Sequence, residues 1–329
     1  MTHALSRLMA TLAVSAWRLA VLAAGIWCAL ALWYRLPGGW HGVAAGSFAL
    51  LAVVVLVVDL SRFRAWTRIA FLLAIAAIGI WWSGIAPSNH RDWQPDVART
   101  VTGTVEGARA TLHNVRNFDW KSDTDMAQRW EDRHYDLDQL SSVDLFLSEW
   151  GDPGIAHTLI SFGFSDGAYV VFSIEIRKET GEAYDPLAGF FKQYEIAYIA
   201  ADERDIVRVR TDVRGEDVHR YRVLLPPDKR RELFLSYIAN ANERAREPQF
   251  YNTLTANCTT LVFDMVRVLV PGLPLDWRII LSAYLPGYLY DHGGLATDRP
   301  LDELKREAAI SSRAIAADGA ADFSAAIRR

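Results

Sequence analysis

His157-Thr158-Leu159-Ile160-Ser161-Phe162-Gly163-Phe164, the turn Ser165-Asp166-Gly167 and the return Ala168-Tyr169-Val170-Val171-Phe172-Ser173-Ile174-Glu175-Ile176-Arg177 read together as a β-hairpin. Both arms are rich in β-branched and aromatic residues, and the Asp-Gly step is a turn signal between antiparallel strands. A turn centred near Asp166 sets position 157 almost opposite position 175, so a histidine and a glutamate share one face of the sheet. A slip of one residue would send them to opposite faces.

Outward from the hairpin the pattern is α+β. The stretch 100–112 (TVTGTVEGARATL) alternates around Gly103 and Gly107 and predicts strands with a turn or bulge. Residues 123–147 are more helical in spacing, with Trp130, Leu137, Leu140 and Leu145 among charged residues. The stretches 205–213 (DIVRVRTDV) and 218–225 (VHRYRVLL) alternate apolar with charged residues and predict half-buried antiparallel strands. Pro226-Pro227-Asp228 starts a helix to about Arg246, with Leu233, Phe234, Tyr237 and Ile238 on its apolar face. Another helix opens at Cys258 and ends near Pro271-Gly272. From Glu303 onward the chain is Ala-rich with scattered charge and reads as a loose helix or a disordered tail.

The N-terminal quarter is of another kind. Three apolar runs, about Leu12 to Tyr34, Gly42 to Val58 and Ile69 to Ala86, each approach the roughly 20 residues that cross a bilayer as a helix. Arg18 interrupts the first but can snorkel to the interface. The breaks between the runs are Arg35-Leu36-Pro37-Gly38-Gly39 and Asp59-Leu60-Ser61-Arg62-Phe63-Arg64. Basic residues gather at Arg7 and Arg18 and at Arg62, Arg64 and Arg68, while the first loop holds only Arg35. The positive-inside rule then keeps the N-terminus in the cytoplasm and carries everything after Pro87 across the membrane. Two further spans follow the first run, so it is not read as a cleaved signal peptide. The expected organisation is a three-helix transmembrane anchor (1–88), a soluble domain with an antiparallel sheet and flanking helices (89–300), and an Ala-rich tail (301–329).

Chemistry concentrates at Cys258. It is the only cysteine outside the apolar runs, Cys28 lying within one of them, and it stands on the oxidising side of the membrane. Asn257-Cys258-Thr259-Thr260 leads straight into the helical run Leu261-Val262-Phe263-Asp264-Met265-Val266, so the thiol meets the positive end of a helix dipole. A nucleophilic thiol needs a base. Of the soluble histidines, His157 opens an apolar strand rather than a solvated loop, and Glu175 on the returning strand would orient it. The bland readings are a satisfied structural histidine and a glutamate paired near Arg177 or with Arg116. An oxyanion would take the backbone N–H of Cys258 and a second donor from Asn257 or Tyr251; Asn257 serves equally as a helix N-cap. Arg116, in Asn114-Val115-Arg116-Asn117-Phe118, is a candidate for an anionic lipid or for an internal acid.

No Cys/His spacing fits zinc, and no phosphate-cradling loop, Gly-x-Ser-x-Gly elbow or dinucleotide fingerprint occurs, so no cofactor is expected. The net charge of −4 gives no reason to expect nucleic acid.

Residues 119–268 resemble the Lnb N-terminal periplasmic domain family, named for a bacterial lipoprotein N-acyltransferase. The resemblance lies in NVRNFDW, WGDPGIAHTLISFGF, FSIEIRKE, YEIAYIAADERDIVRVRT and above all YNTLTANCTTLVFDMVR. It implies a papain-like thiol fold in permuted order (NlpC/P60-like), histidine strand first and cysteine helix last, with the nucleophile on Cys258, its base on His157 and the polar third member on Glu175. Together with the three apolar runs, which are no part of the resemblance, it leads to the expectation of a multi-pass protein of the bacterial inner membrane with a periplasmic domain, whose expected partners are membrane lipids and lipoproteins. The implied activity is acyl transfer or lipid hydrolysis through a thioester. An envelope peptidase or amidase, and a non-catalytic scaffold for a lipidated partner, are the rival functions.

Overall fold

The structure of the protein, a computed structural model, describes residues 2–58, 63–151 and 154–329. Residues 59–62 of the second break, Arg62 included, and Asp152-Pro153 of the quoted motif lie outside the described residues. The chain divides into two compact units, residues 1–87 with 185–193, and residues 88–184 with 194–329.

The first unit holds α1 (Thr2–Arg35), α2 (Trp40–Val58) and α3 (Arg64–Ser83). Each carries a stretch long and apolar enough to cross a membrane. Their shared core is Val21 and Cys28 of α1, Phe48, Ala52 and Val55 of α2, and Phe71 of α3. Gly25 permits the close crossing of α1 and α2: a Cβ there would stand 2.8 Å from the Ala52 Cβ. Leu19, Val57 and Ile80 point outward and exposed, which suits a hydrocarbon surround and not water. Residues 185–193 pack with these helices. Phe191 stacks on Tyr34, and the Lys192 ammonium donates to the Trp82 and Ile85 carbonyls at 2.9 and 3.1 Å, where the end of α3 leaves acceptors open.

The second unit is an α+β domain. Its main sheet runs β1 (Thr102–Glu106), β2 (Arg109–Arg116), β9 (Glu195–Ala201), β8 (Tyr169–Arg177), β7 (His157–Phe164), β6 (Leu140–Glu149), β10 (Asp217–Arg222), with β5 (Trp130–Asp136) also on β2. β3 (Asp119–Trp120) and β4 (Met126–Ala127) pair separately. All neighbours in the main sheet are antiparallel except β2 and β9. The helices are α4 (Glu203–Ile206), α5 (Pro227–Arg246), α6 (Cys258–Leu269), α7 (Trp277–Ile280), α8 (Leu285–Asp291), α9 (Leu301–Ala308), α10 (Ser311–Ala316) and α11 (Phe323–Ala326).

The central strands are apolar on both sides because both faces are covered. On one face Phe162, Phe172 and Tyr198 pack their rings against Phe234 and Tyr237 of α5. On the other, Leu159, Val171 and Ile199 close over Ile310, Ala314, Phe323 and Ile327 from the C-terminus. The β7–β8 hairpin has the expected register: Leu159 faces Ser173, and two residues further on the same register sets His157 opposite Glu175. Gly167, at φ 89°, makes the turn in a backbone region that favours glycine.

Three expectations are corrected. Residues 123–147 are β4, β5 and most of β6 rather than helix. β6 is buried on both faces, and a doubly buried strand loses the alternation that separates it from a helix. Residues 205–213, expected as a strand, are the end of α4 and a π turn at Val209–Val213. Asp202 caps α4 by accepting from the Arg204 N–H, and Asp205 turns inward onto Arg116. The segment from Glu303 is not a loose tail. Arg328 reaches Asp144 and Glu203 at 2.8 and 2.6 Å, and Ile310, Phe323 and Ile327 complete the core.

Candidate active site

Three local devices bring the site together. Ser282 accepts the Ala156 N–H at 2.8 Å and donates to the Ala156 carbonyl at 2.6 Å, which pins the residue before His157 at the start of β7. Alternation along β8 sends Ser173 and Glu175 to one face of the sheet. Asn257 caps α6 with a reciprocal capping box: its side chain accepts the Thr259 and Thr260 N–H groups, both at 2.9 Å, and the Thr260 hydroxyl accepts the Asn257 N–H at 2.9 Å. Cys258 is therefore the first residue of a firmly capped helix, its own N–H among the donors a first turn leaves without an intrahelical partner.

The His157 ring is buried, with Nε2 at 2.7 Å from the Ser173 hydroxyl and 3.1 Å from Glu175 Oε1. Ser173 spends its own proton on Glu175 at 2.7 Å, so it accepts from His157 and fixes Nε2 as the protonated nitrogen. That leaves Nδ1 as the ring nitrogen open to the Cys258 thiol, whose helix is tied to β7 by the Thr158–Thr259 hydroxyl pair at 2.9 Å. Arg210, itself buried, donates to Glu175 at 2.9 Å and stands 3.3 Å from Glu216, which also takes the Ser148 hydroxyl. Beside the sulfur lies the Thr259 hydroxyl at 3.8 Å, itself 2.9 Å from the Thr158 hydroxyl.

The electrostatics favour an ion pair. Burial works against charge at His157, but Glu175 and, behind it, Cys258 prevail over Arg210 and push the imidazole up to about 9. Burial would raise the Cys258 thiol, yet the His157 charge and the hydrogen bonds from His157, Thr158 and Thr259 hold it below its ordinary value. Burial would likewise raise Glu175, and His157, Arg210 and Ser173 together keep it well below the carboxylate range. A lowered thiol beside a raised imidazole shifts the balance of their shared proton toward the ring.

Of the residues singled out from sequence, His157 and Glu175 are joined at 3.1 Å and through Ser173, and Cys258 is close enough for the imidazole charge to lower its thiol. Tyr251 is buried and near enough for the charge at Cys258 to add to the upward shift that burial gives its phenol. Asn257 takes its capping alternative, and its amide N–H₂ is spent on the Thr253 carbonyl at 2.8 Å. Arg116 takes its internal-acid alternative: buried, it forms a fork on Asp205 at 2.9 and 3.0 Å and also donates to the Asp96 carbonyl. Asp205 further accepts from the Phe118 N–H and the Trp120 indole, so the group holds three segments together.

Ser173, Arg210 and Thr158 went unmarked in the sequence. Ser173 lies two residues before Glu175 on one strand face, a signal that was there to read. Arg210 sat inside the misread stretch 205–213. Tyr237 of α5 also belongs to this neighbourhood: its fully buried hydroxyl has no hydrogen-bond partner among the described residues, and burial first and the Cys258 charge with it raise its pKa. Among the described residues no three His, Cys, Asp or Glu side chains gather as they would around a metal ion.

Residues 126–283 match the family model described as the Lnb N-terminal periplasmic domain, and this stretch of the chain belongs to that family. No curated protein and no solved structure matches the chain. The matched domain follows three helices able to cross a membrane, so the protein is a membrane protein with a periplasmic, envelope-related domain.

Proposed function

We propose that this protein is a multi-pass enzyme of the bacterial inner membrane whose periplasmic domain transfers acyl groups from a lipid ester through Cys258, with a lipoprotein amine or water as acceptor. One observation carries the reading: a helix-capped thiol on a segment bonded, through Thr259 and Thr158, to the strand residue next to an imidazole that Ser173 and Glu175 hold in one tautomer. The order of strand and helix fits the permuted papain-like arrangement that the sequence resemblance implies.

The thiolate attacks the ester carbonyl while the proton rests on His157. The oxyanion draws on the Cys258 N–H and on a phenol, Tyr251 or the unpartnered Tyr237. Collapse breaks the ester C–O bond, the departing alkoxide takes the proton from His157, and a thioester remains on Cys258. An amine or water then attacks the thioester, gives its proton to His157, and the thiolate leaves. Glu175 keeps the imidazolium stabilised throughout, and Arg210 fixes Glu175 in place.

Tethering raises the local concentration of substrates that already lie in the bilayer, which favours lipids and lipoproteins over soluble peptides. The test uses the full chain in detergent, incubated with a phospholipid and a diacylated lipopeptide and read by mass spectrometry. The expected results are an acyl adduct on the Cys258 peptide and an acylated lipopeptide, both lost in Cys258→Ala and His157→Ala. Undiminished product in Cys258→Ala refutes the proposal, and cleavage of peptidoglycan fragments in place of lipid transfer would replace it with a peptidase.

A further inference from the structure

Behind the Thr158–Thr259 pair lies a cavity of about 420 Å³ between β6, β7, the start of α5, α6 and α8. Its walls are apolar, formed among others by Leu145, Ile160, Val262, Phe263 and Leu289. The polar side chains that line it are already partnered. Thr158 and Thr259 bond each other at 2.9 Å, the Lys229 ammonium bonds Glu232 at 2.8 Å, and the His292 ring donates to the Tyr288 carbonyl at 2.8 Å. The Tyr288 hydroxyl in turn donates to the Pro274 carbonyl at 3.0 Å. With each of these polar side chains already holding a partner and the walls mostly apolar, a ligand there gains its affinity chiefly from apolar contact.

We infer that this cavity is the binding site for the hydrocarbon chain of an acyl substrate, whose carbonyl end meets Cys258. The same two threonines join cavity and nucleophile: the Thr259 hydroxyl stands 3.8 Å from the sulfur and 2.9 Å from the Thr158 hydroxyl, while both residues also line the cavity. Alternation along β7 accounts for this, since His157 and Thr158 project to opposite sides of one strand. Taking a methylene to occupy roughly the 30 Å³ share of a water molecule, the volume admits on the order of fourteen of them. The ligand class is therefore a long saturated or monounsaturated chain and not an acetyl or peptidyl group. Each methylene buried contributes about fourfold in affinity.

The inference rests on the acyl-transfer reading for its chemistry, but its test separates the two. The full chain carrying Cys258→Ala, which cannot react, is photolabelled in detergent with a diazirine-bearing sixteen-carbon fatty acid, and the adducts are mapped on peptides. Adducts are expected on β7, α6 and α8, competed by palmitate far better than by butyrate. Val266→Trp, a half-buried wall position, is expected to cut their yield by about 100-fold, the loss of three to four methylenes' contact. Adducts confined to the membrane helices, or unchanged by both competitor and substitution, overturn the inference. In the wild type, a series of activated esters from two to sixteen carbons then gives the second arm. Mapped cavity adducts with no ester acylating Cys258 would sink the catalytic reading and leave the cavity standing. Equal acylation at every chain length would do the reverse.

Discussion

Replacing Glu175 by glutamine keeps shape and volume but removes the charge that outweighs all else raising His157. The imidazole stands near 9 against an ordinary 6.5, a difference worth roughly 3 kcal/mol at 1.36 kcal/mol per unit. That is a net figure, reached although burial and Arg210 both oppose it. In Glu175→Gln the Arg210 guanidinium remains beside the site without its nearest counter-charge, so the imidazolium is expected to discharge more than one pH unit earlier. The thiol then loses its largest support, and its pKa climbs back toward or past the ordinary 8.5. The assay is the rate of iodoacetamide alkylation, read on the Cys258 peptide of the full chain from about pH 5 to 10, with a melting curve at each pH. In the wild type the midpoint is expected below that of an ordinary thiol, and in Glu175→Gln clearly higher with the melting temperature little changed. Coincident midpoints in two well-folded proteins would refute the account of Glu175 as the group that sustains the ion pair.

Turnover should follow a bell against pH: the lower limb marks formation of the thiolate, and the upper limb falls as His157 loses its proton near 9 and can no longer protonate the leaving group. Both limbs belong to the coupled pair, and a rate still rising above pH 10 would contradict the general-acid role. Asn257→Ala removes the cap of α6 and is expected to cost about 1 kcal/mol in urea unfolding of the soluble domain, with slower alkylation of Cys258 at neutral pH. Arg328→Met leaves Asp144 and Glu203, both buried, short of a cation and is expected to destabilise by about 3 kcal/mol; an unchanged unfolding midpoint would mean that their other partners, Arg220 on Asp144 at 3.0 Å and Ser161 on Glu203 at 2.5 Å, suffice for the two acids.

Features with a strong local cause could be read early. Apolar runs long enough to cross a bilayer announce themselves by composition, and α1 to α3 fall on them. The hairpin turn at Asp166-Gly167 sets its own register, which is why His157 and Glu175 could be paired before any coordinates. Pro226-Pro227 and Asn257 mark the starts of α5 and α6 because a fixed φ and a side-chain cap act within one helical turn. Where the cause was remote, the reading failed. Nothing near residues 205–213 signals that Asp205 answers Arg116, some ninety residues earlier, so that an alternating stretch becomes a helical turn.

The same division runs through the site. The amino-acid order alone supplied a lone thiol at a helix start, a histidine at a strand start and a carboxylate facing it, since each follows from short-range rules of capping, turns and alternation. Folding in three dimensions added the Arg210 guanidinium under Glu175, the placing of the C-terminal helices in the core, and the apolar cavity behind Thr158 and Thr259. These depend on contacts between distant segments, whose energies come from burial and charge pairing and leave no periodic trace along the chain.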